Sequence, residues 1–449
     1  MQLPESFISQ LRQQLGESVE AFQDALDTPA PVSLHFNPFK TNSSKKENYE
    51  GVKWYSNGVY LPERPVFTLD PLFHGGQYYV QEASSMFLTE AVRQCVDLNK
   101  PLRVLDLAAA PGGKSTLLVS ILHPESFILC NEVIRSRFKI LEYNLIKWGT
   151  PNTYLSNHDS EDFSKLEGFF DLILLDAPCS GEGLFRKDED AVGHWSEDHV
   201  NFCSLRQQRI LKNTVPLLSP GGTLIYSTCT YNEQENESHG LWLEAEYGLE
   251  HYPLEIPETW NILHRNRGVQ FYPHKVKGEG FYIACYKNNG GREISFRSKH
   301  TPRVNGLTAV EKTELSRWLV QPEEYDYFKD HHEGVRAILK SHAEIHQWVQ
   351  KSLARYIPGT FLGTFKREQF IPSADLALSI MVSRDLPSVT LEKEQALRFL
   401  KKEPPDLDEI PDGWALVTYQ NLPLGWIKGI QNRVNNYYPK EWRIRMNID

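Results

Sequence analysis

Two cysteines, Cys179 and Cys229, are the residues of this chain best placed for nucleophilic chemistry. Cys179 lies in the segment Asp176-Ala-Pro-Cys-Ser-Gly-Glu-Gly183 and Cys229 lies in Ser227-Thr-Cys-Thr230, each after an apolar run. A thiolate is a strong nucleophile that forms covalent intermediates, whereas a buried thiol without such a role is inert. Six cysteines without a Cys-x-x-Cys pair argue against a zinc site and a disulfide framework, so we predict free thiols and no metal.

A third segment, residues 102–115, has the pattern of a ligand-binding turn. Its apolar strand residues give way to Ala108-Ala-Ala-Pro-Gly-Gly-Lys114, and the helix predicted next presents free backbone N–H groups. Glycines in such a turn let the backbone approach a ligand closely. The segment matches neither G-x-G-x-x-G nor a P-loop, so by itself it is equally compatible with a plain tight turn.

These motifs are predicted to share one edge of a parallel sheet. Alternating strands and helices indicate βαβ units, whose ligands bind beyond the carboxyl ends of the strands, and each motif falls at such an end. An antiparallel hairpin over residues 270–286 is predicted to complete this α/β sheet. Hydrophobic patterning predicts strands near 102–107, 126–131, 152–157, 170–176 and 222–228, and helices near 114–122, 133–147 and 201–218.

The chain is long enough for several domains. Residues 1–70 begin with amphipathic helices and continue as short strands, and residues 71–290 contain the three motifs. The segment Asn288-Asn-Gly-Gly-Arg292 marks a boundary, and residues 291–305 are predicted to be a linker. Residues 306–449 form the last domain, helical at first and then built of short β segments with glycines.

Composition narrows the class of protein further. The chain has a net charge of −10, with 40% hydrophobic and 24% charged residues, which is ordinary for a globular protein. It contains no apolar run of membrane-span length and no secretory signal, so we expect a cytoplasmic protein without membrane contact. Residues 265–303 nevertheless hold nine Lys or Arg against two acids, a local basic surface or simply a solvated face.

Together the three motifs resemble the RNA 5-methylcytosine methyltransferases of the Nol/Nop/Sun family, over most of the chain. Gly183-Leu-Phe-Arg-Lys-Asp188 and Pro273-His-Lys-Val-Lys-Gly-Glu-Gly-Phe-Tyr282 are similar to the bacterial small-subunit ribosomal RNA branch of that family. The resemblance implies a Rossmann-like, S-adenosylmethionine-dependent methyltransferase sheet with a small N-terminal α+β RNA-binding domain and a C-terminal α+β PUA-like RNA-binding module. It also implies RNA contacts by Lys40, Arg186 and Lys187, with surface solvation as the alternative for the last two.

The resemblance assigns S-adenosylmethionine to the ends of the first strands. Glu132 follows Gly112 by 20 positions, which is the usual offset for an acid that binds ribose hydroxyls, and Asp159 could accept from the adenine amino group. Both acids are equally understandable as helix N-caps, and Asp159 is the better suited of the two. The predicted cofactor-binding residues are Ala108, Ala109, Ala110, Pro111, Gly112, Gly113, Lys114, Glu132, Asp159 and Asp176.

The chemistry implied by the resemblance needs a covalent step. Carbon 5 of cytosine attacks a sulfonium methyl only after a thiolate has added to carbon 6. Both Cys179 and Cys229 end strands near the cofactor, so position alone does not choose between them. In the RNA family the Thr-Cys cysteine, here Cys229, is the nucleophile and the Pro-Cys cysteine, here Cys179, assists release. Asp176 is predicted to hydrogen-bond the cytosine ring nitrogen and amino group.

The leading prediction is therefore an RNA cytosine-C5 methyltransferase that acts on small-subunit ribosomal RNA. A tRNA cytosine-C5 methyltransferase is one alternative, and a non-catalytic RNA-binding ribosome assembly factor is another. The intact Cys179, Cys229, Asp176 and Glu132 argue against the assembly factor. The resemblance further implies a monomer whose partner is RNA.

Overall fold

The computed structural model describes residues 3–41, 48–291, 306–431 and 433–448. Its N-terminal part consists of two helices, which pack against the central part, and a four-stranded antiparallel sheet of order β2-β3-β1-β4. The fourth strand of this sheet comes from beyond residue 70, so the predicted division at that residue remains a proposal. The elements are α1 Glu5–Leu15, α2 Val19–Leu26, β1 Val32–Phe36, β2 Glu50–Val52, β3 Tyr55–Leu61, α3 Pro71–His74 and β4 Tyr78–Val80.

The central part is the predicted α/β sheet. Parallel strands in the order β9-β8-β5-β6-β7 form its middle, and the antiparallel β13 and β12 follow beside β9, as predicted for residues 270–286. The elements are α4 Leu88–Cys95, β5 Arg103–Asp106, α5 Gly113–Ile121, β6 Phe127–Asn131, α6 Arg135–Trp148, β7 Thr153–Ser156, β8 Phe170–Asp176, α7 Glu189–His194, α8 Glu197–Thr214, β9 Leu218–Thr228, α9 Glu237–Tyr247, β10 Glu250–Tyr252, β11 Leu263–His264, β12 Val269–Phe271 and β13 Phe281–Lys287.

Within the central part, predicted and observed boundaries differ most at α8 and β9; in the C-terminal part, the region predicted as helical at first also contains strands over 325–329 and 334–339. The helix was predicted over 201–218 but begins at Glu197, because the Ser196 side chain accepts a hydrogen bond from the His199 N–H and caps it. It ends at Thr214 because Pro216 lies in the short 3₁₀ turn that follows. Strand β9 starts four residues before the predicted 222, since the sheet accommodates Pro220 beside an irregularity in the β8 pairing.

Each face of this sheet has its own core. Side chains alternate along a strand, so Val104 packs with α5 and α6 on one face while Leu105 packs with α8 and α9 on the other. The strand interiors are apolar and fully buried, as a parallel sheet covered on both sides requires. This layering brings the carboxyl ends of β5, β6, β7, β8 and β9 to one edge.

The C-terminal part contains two further four-stranded sheets, of order β14-β15-β17-β18 and β19-β20-β21-β22. Strand β16 joins neither of these sheets: it pairs antiparallel with β7 at the edge of the central sheet. The elements are α10 Ala309–Ser316, β14 Tyr325–Lys329, β15 Gly334–Leu339, α11 Ala343–Ser352, β16 Tyr356–Ile357, β17 Thr360–Lys366, β18 Gln369–Pro372, α12 Ala374–Leu378, β19 Ser388–Thr390, α13 Lys393–Leu400, β20 Gly413–Tyr419, β21 Leu422–Ile430 and β22 Arg433–Asn436.

Lys40 joins all three parts of the chain. Its Nζ donates hydrogen bonds to the carbonyl oxygens of Gly75 at 3.1 Å, Lys147 at 2.6 Å and Leu378 at 2.5 Å. An ammonium group has three donors, and here all three are used within the protein. The predicted RNA contact of Lys40 is therefore wrong, because its ammonium closes the carboxyl end of α6 instead.

Arg186 has a similar internal role. Its guanidinium donates to the carbonyl oxygens of Thr28 and Pro29 and to the Thr28 hydroxyl, so it fastens the end of α2 to the central domain. Four of the basic residues in 265–303 are also paired or hydrogen-bonded inside the protein: Arg265, Arg267, Lys277 and Lys287. Residues 292–303 of that stretch lie outside the described part. None of the described helices is long and apolar enough to cross a membrane.

Candidate active site

The two cysteines of the sequence motifs meet at the carboxyl edge of the sheet. Cys179 follows β8, Cys229 follows β9, and their Sγ atoms lie 3.1 Å apart. The hydrogen bond with Cys229, reinforced by burial, raises the pKa of the Cys179 thiol well above its ordinary value. Cys179 is therefore held in its protonated form, in contact with the Cys229 sulfur.

A buried ion pair lies beside the two thiols. Lys114 Nζ is 2.7 Å from Asp176 Oδ2, and the Ser227 hydroxyl donates to Asp176 Oδ1 at 2.8 Å. Burial by itself would lower the pKa of Lys114, but the Asp176 carboxylate outweighs it and the pKa is raised. Lys114 was predicted within the cofactor-binding turn; its backbone lies in the first turn of α5, but its side chain reaches Asp176.

The turn over residues 108–114 has the close backbone course that the sequence indicated. Gly112 has φ +112°, a conformation that favours glycine, and its N–H donates to the Ala109 carbonyl at 2.8 Å. Arg137 donates to the Ala110 carbonyl at 2.7 Å and Asn144 donates to the Pro111 carbonyl at 2.8 Å. Two side chains of α6 therefore hold the turn in place, a support that the motif itself does not reveal.

Glu132 lies where β6 ends, and its side chain is buried. Oε1 accepts a hydrogen bond from the Ile134 N–H at 2.8 Å. Oε2 has no hydrogen-bond partner among the described residues, with Arg137 at 3.5 Å as its nearest cation. A buried carboxylate oxygen without a donor is costly, so the site fits a ligand that brings hydroxyl donors to it. The ribose of S-adenosylmethionine has two such hydroxyls.

Asp159 caps a helical turn, as the alternative interpretation of this residue predicted. Its carboxylate caps the 3₁₀ turn over residues 160–166 and also contacts the Arg209 guanidinium at 3.0 and 3.2 Å. Partial burial raises its pKa, but the hydrogen bonds from Arg209, the Glu161 N–H and Ser160, together with the Arg209 charge, outweigh this and the pKa is lowered. A carboxylate has about four acceptor positions, so an adenine contact stays a prediction for Asp159.

A single cavity of about 370 Å³ connects these groups. It is of the size that binds small ligands, and its walls combine apolar side chains with a few polar groups. Its lining includes Ala108, Glu132, Asp159, Asp176, Cys179 and Cys229. The arrangement provides an acceptor for a sugar, a thiol pair for covalent chemistry and a charged pair that can orient a base.

Two buried acids that the sequence analysis did not single out hold the cysteine loops together. Glu182 accepts from the Tyr231 and Asn232 N–H groups, the Asn232 amide and the Trp195 indole. Glu235 accepts from the Ser180 N–H at 3.0 Å and from the Gln207 amide at 2.7 Å. Each acid bridges the loop of one cysteine to the loop of the other, so together they fix the distance between the two sulfurs.

The buried carboxyl group of Glu279 should make the free energy of unfolding depend on pH. It is 3% exposed, neither carboxylate oxygen has a hydrogen-bond partner in the described part of the chain, and burial raises its pKa to about 7. The folded protein therefore binds this proton more tightly than the unfolded chain, and stability falls as pH rises from about 4.5 to about 7. Relative to Glu279→Gln, the wild type should lose roughly 2–3 kcal/mol over that interval in denaturant unfolding. The exposed Glu258→Gln serves as control, and parallel curves for wild type and Glu279→Gln would contradict the prediction.

Comparison with protein families agrees with this geometry. Residues 94–287 match the family model described as 16S rRNA methyltransferase RsmB/F. Residues 3–83 match the N-terminal domain of 16S rRNA methyltransferase RsmF, and residues 386–444 match the methyltransferase RsmF PUA domain. The matched regions lie in the three parts of the chain that the structure shows.

Individual relatives extend over almost the whole chain. A ribosomal RNA small subunit methyltransferase F of Cronobacter sakazakii is 30% identical over 98% of this chain and 96% of its own length. The protein of the same name from Salmonella agona is 30% identical with the same coverage. Among solved structures, a methyltransferase homolog protein from Pyrococcus horikoshii is 29% identical, with a TM-score of 0.55 over 64% of this chain and 95% of its own.

A second structure supports the fold alone. NSun6 from Pyrococcus horikoshii, solved with SFG, is 19% identical with a TM-score of 0.53 and covers 64% of this chain and 99% of its own. The predicted α/β methyltransferase sheet, with its N-terminal and C-terminal PUA-like additions, is thereby confirmed. The thiol pair, the glycine turn and the full-length relatives lead to one assignment: this chain belongs to the RsmB/F family of 16S rRNA methyltransferases.

Proposed function

We propose that this S-adenosylmethionine-dependent rRNA methyltransferase modifies carbon 5 of a cytosine in small-subunit ribosomal RNA. The observation that carries the proposal is the contact of Cys179 and Cys229 at 3.1 Å beside the Asp176–Lys114 pair. A methyltransferase acting on an amino group or a hydroxyl has no use for two thiols at the acceptor site. Cytosine C5 methylation needs one thiol to activate the ring.

Cys229 is proposed as the nucleophile. Its thiolate adds to carbon 6 of the cytosine, so a C–S bond forms and carbon 5 becomes electron-rich. S-adenosylmethionine supplies an electrophilic methyl group to carbon 5. Loss of the carbon-5 proton to a base then breaks the C–S bond and restores the aromatic ring. The protonated Cys179, in contact with the attacking sulfur, is placed to assist this release.

Asp176 and Lys114 are proposed to orient the cytosine. The Asp176 carboxylate is one-third exposed towards the cavity and keeps free acceptor capacity for the ring nitrogen and amino group. Lys114 remains protonated beside Asp176, so its ammonium holds the carboxylate in place next to the two cysteines. A largely buried ammonium held by a carboxylate also remains in place without substrate, so the site is preorganised.

The cofactor is proposed to lie along the strand ends. The backbone of residues 108–114 supports its methionine end, Glu132 accepts from its ribose, and Asp159 lies beside the adenine position. Val133 and Ile134 are 45% and 43% exposed, and both line the cavity next to Glu132. Their apolar surface gives an adenine ring something to pack against.

Glu132→Ala should weaken S-adenosylmethionine binding by roughly 1.5–3 kcal/mol, the scale of hydrogen bonds to a charged group. Calorimetric titration measures this affinity directly. The affinity of Glu132→Gln should lie between those of wild type and Glu132→Ala, because its amide oxygen still accepts a hydrogen bond. Glu161→Ala, an exposed acid at the same edge, is the control. If Glu132→Ala binds the cofactor as tightly as wild type, Glu132 does not bind the ribose, and its role is limited to the hydrogen bond from the Ile134 N–H.

The substrate is testable with RNA from a deletion strain. Bisulfite sequencing should reveal one small-subunit rRNA cytosine that loses its modification, and purified protein should restore it with labelled cofactor. Transfer to tRNA instead would favour the tRNA alternative, and no transfer to any RNA would favour the assembly factor. The matched PUA domain supports an RNA partner.

We further propose a monomer that acts in the cytoplasm, where ribosomal subunits are assembled.

A further inference from the structure

One face of helix α8 continues from the active-site cavity to the protein surface. One side of the helix carries Phe202 and the residues that follow it by three, four and seven positions: Leu205, Arg206 and Arg209. Arg206 and Arg209 line the cavity together with Cys179 and Cys229. Phe202 lies one helical turn before Arg206, and Leu205 one turn before Arg209, so both adjoin residues that line the cavity.

The outer part of this stripe is unusually exposed and apolar. Leu205 is 68% exposed and Phe202 is 63% exposed, the two highest values among the large hydrophobic side chains of the described residues. Leu184, which also lines the cavity, is exposed as well. Apolar side chains grouped at the entrance of a site mark a contact surface for a ligand.

Arg206 adds an uncompensated charge. Its neighbour Arg209 is paired with Asp159, whereas Arg206 has no hydrogen bond and no ion pair with any described residue. A cation beside exposed aromatic and aliphatic surface has the composition of single-stranded RNA sites, where phosphates pair with cations and bases stack on side chains.

We propose that Phe202, Leu205 and Arg206, the α8 rim, form a subsite for the nucleotide adjacent to the target cytosine. This rests on the proposed function, because a cytosine inserted between Asp176 and Cys229 must leave its neighbours on the rim of the cavity. The adjacent base stacks on Phe202 and Leu205, and its phosphate pairs with Arg206. Two exposed side chains are too small an apolar surface for a stable protein partner, which buries roughly 800 Å² per side.

The test measures binding of a short single-stranded RNA with one cytosine between two 2-aminopurine nucleotides, whose fluorescence falls on stacking. Full-length wild type should quench the probe, and Phe202→Ala should remove the quench and weaken binding about 5- to 150-fold. Phe202→Tyr should retain both. Arg206→Gln should reduce the slope of log affinity against log salt by about 0.7, the loss of one phosphate contact.

Ile140→Ala is the matched control, an exposed apolar residue on α6 across the sheet. These surface changes should leave thermal unfolding unaltered. The readout needs no turnover, so Cys229→Ala should quench like wild type even though it is inactive. The proposed subsite is contradicted if wild type does not quench the probe. It is also contradicted if Phe202→Ala binds and quenches the probe normally. Normal RNA binding with lost pull-down of a small-subunit ribosomal protein also overturns it. A wild-type protein that quenches the probe but transfers no methyl group to any RNA would instead defeat the proposed function.

Discussion

Cys229→Ala should abolish methyl transfer, whereas Cys179→Ala should accumulate a covalent protein–RNA adduct. In the proposed mechanism Cys229 forms the bond to carbon 6, so without it no ring activation occurs. Without Cys179, Cys229 can still add to carbon 6 and the methyl group can still be transferred to carbon 5. Release of the methylated cytosine from Cys229 is then unassisted. The loss in Cys229→Ala should reach several orders of magnitude, as for other covalent nucleophiles. Cofactor affinity should stay within a few fold, because the thiol acts on cytosine.

A denaturing gel with labelled RNA decides the assignment. Wild type, each single variant and the double variant are incubated with RNA and cofactor, and a denaturant-resistant shift of the protein band reports the adduct. Only Cys179→Ala should show a strong shift. Cys203→Ala removes a buried thiol of α8 that lies outside the pair and serves as control. An adduct from Cys229→Ala with none from Cys179→Ala would reverse the two roles.

Glu182→Ala should be the most destabilising single change in the active site. The substitution leaves four donors without their acceptor in a region where Glu182 is 0% exposed. Each unsatisfied buried donor costs about 1–3 kcal/mol, so even with partial relaxation we expect a loss of about 3–5 kcal/mol in unfolding free energy. Denaturant unfolding measures this loss, and methyl transfer should fall with it as the two cysteine loops separate.

The matched control for this change is Glu233→Ala, an exposed acid in the same loop. It should alter unfolding free energy by less than about 0.5 kcal/mol. Glu182→Gln keeps the shape and one acceptor oxygen, so its stability should fall between Glu182→Ala and wild type. Equal stability of Glu182→Ala and Glu233→Ala would show that the loops are held by other contacts.

The sequence predicted the sheet well because its signals are local. Apolar runs such as residues 170–176 have the length and composition of buried strands, and the motifs follow them directly. The meeting of Cys179 and Cys229 followed from parallel topology, which brings strand ends to one edge. These inferences needed only short-range patterns and one topological rule.

Other features depend on contacts between distant residues and carry no local signal. Lys40 is an ordinary surface lysine in sequence, yet it reaches carbonyls 35, 107 and 338 positions away. The side chain of Lys114 departs from the turn that its backbone continues. Glu182 was part of a recognised motif, but its four donors come from residues that only the fold brings near.

Strand β16 has a consequence for how the chain can be divided. It completes the edge of the central sheet through β7, and Phe328, Ile338 and Val349 share the core beneath that sheet. Two polypeptides, residues 1–291 and 306–449, would each expose this surface alone, so we expect them to reassociate when produced together. Fragment complementation would then restore a working enzyme without a continuous backbone. The C-terminal fragment could be isotope-labelled separately and its RNA contacts followed within the intact fold.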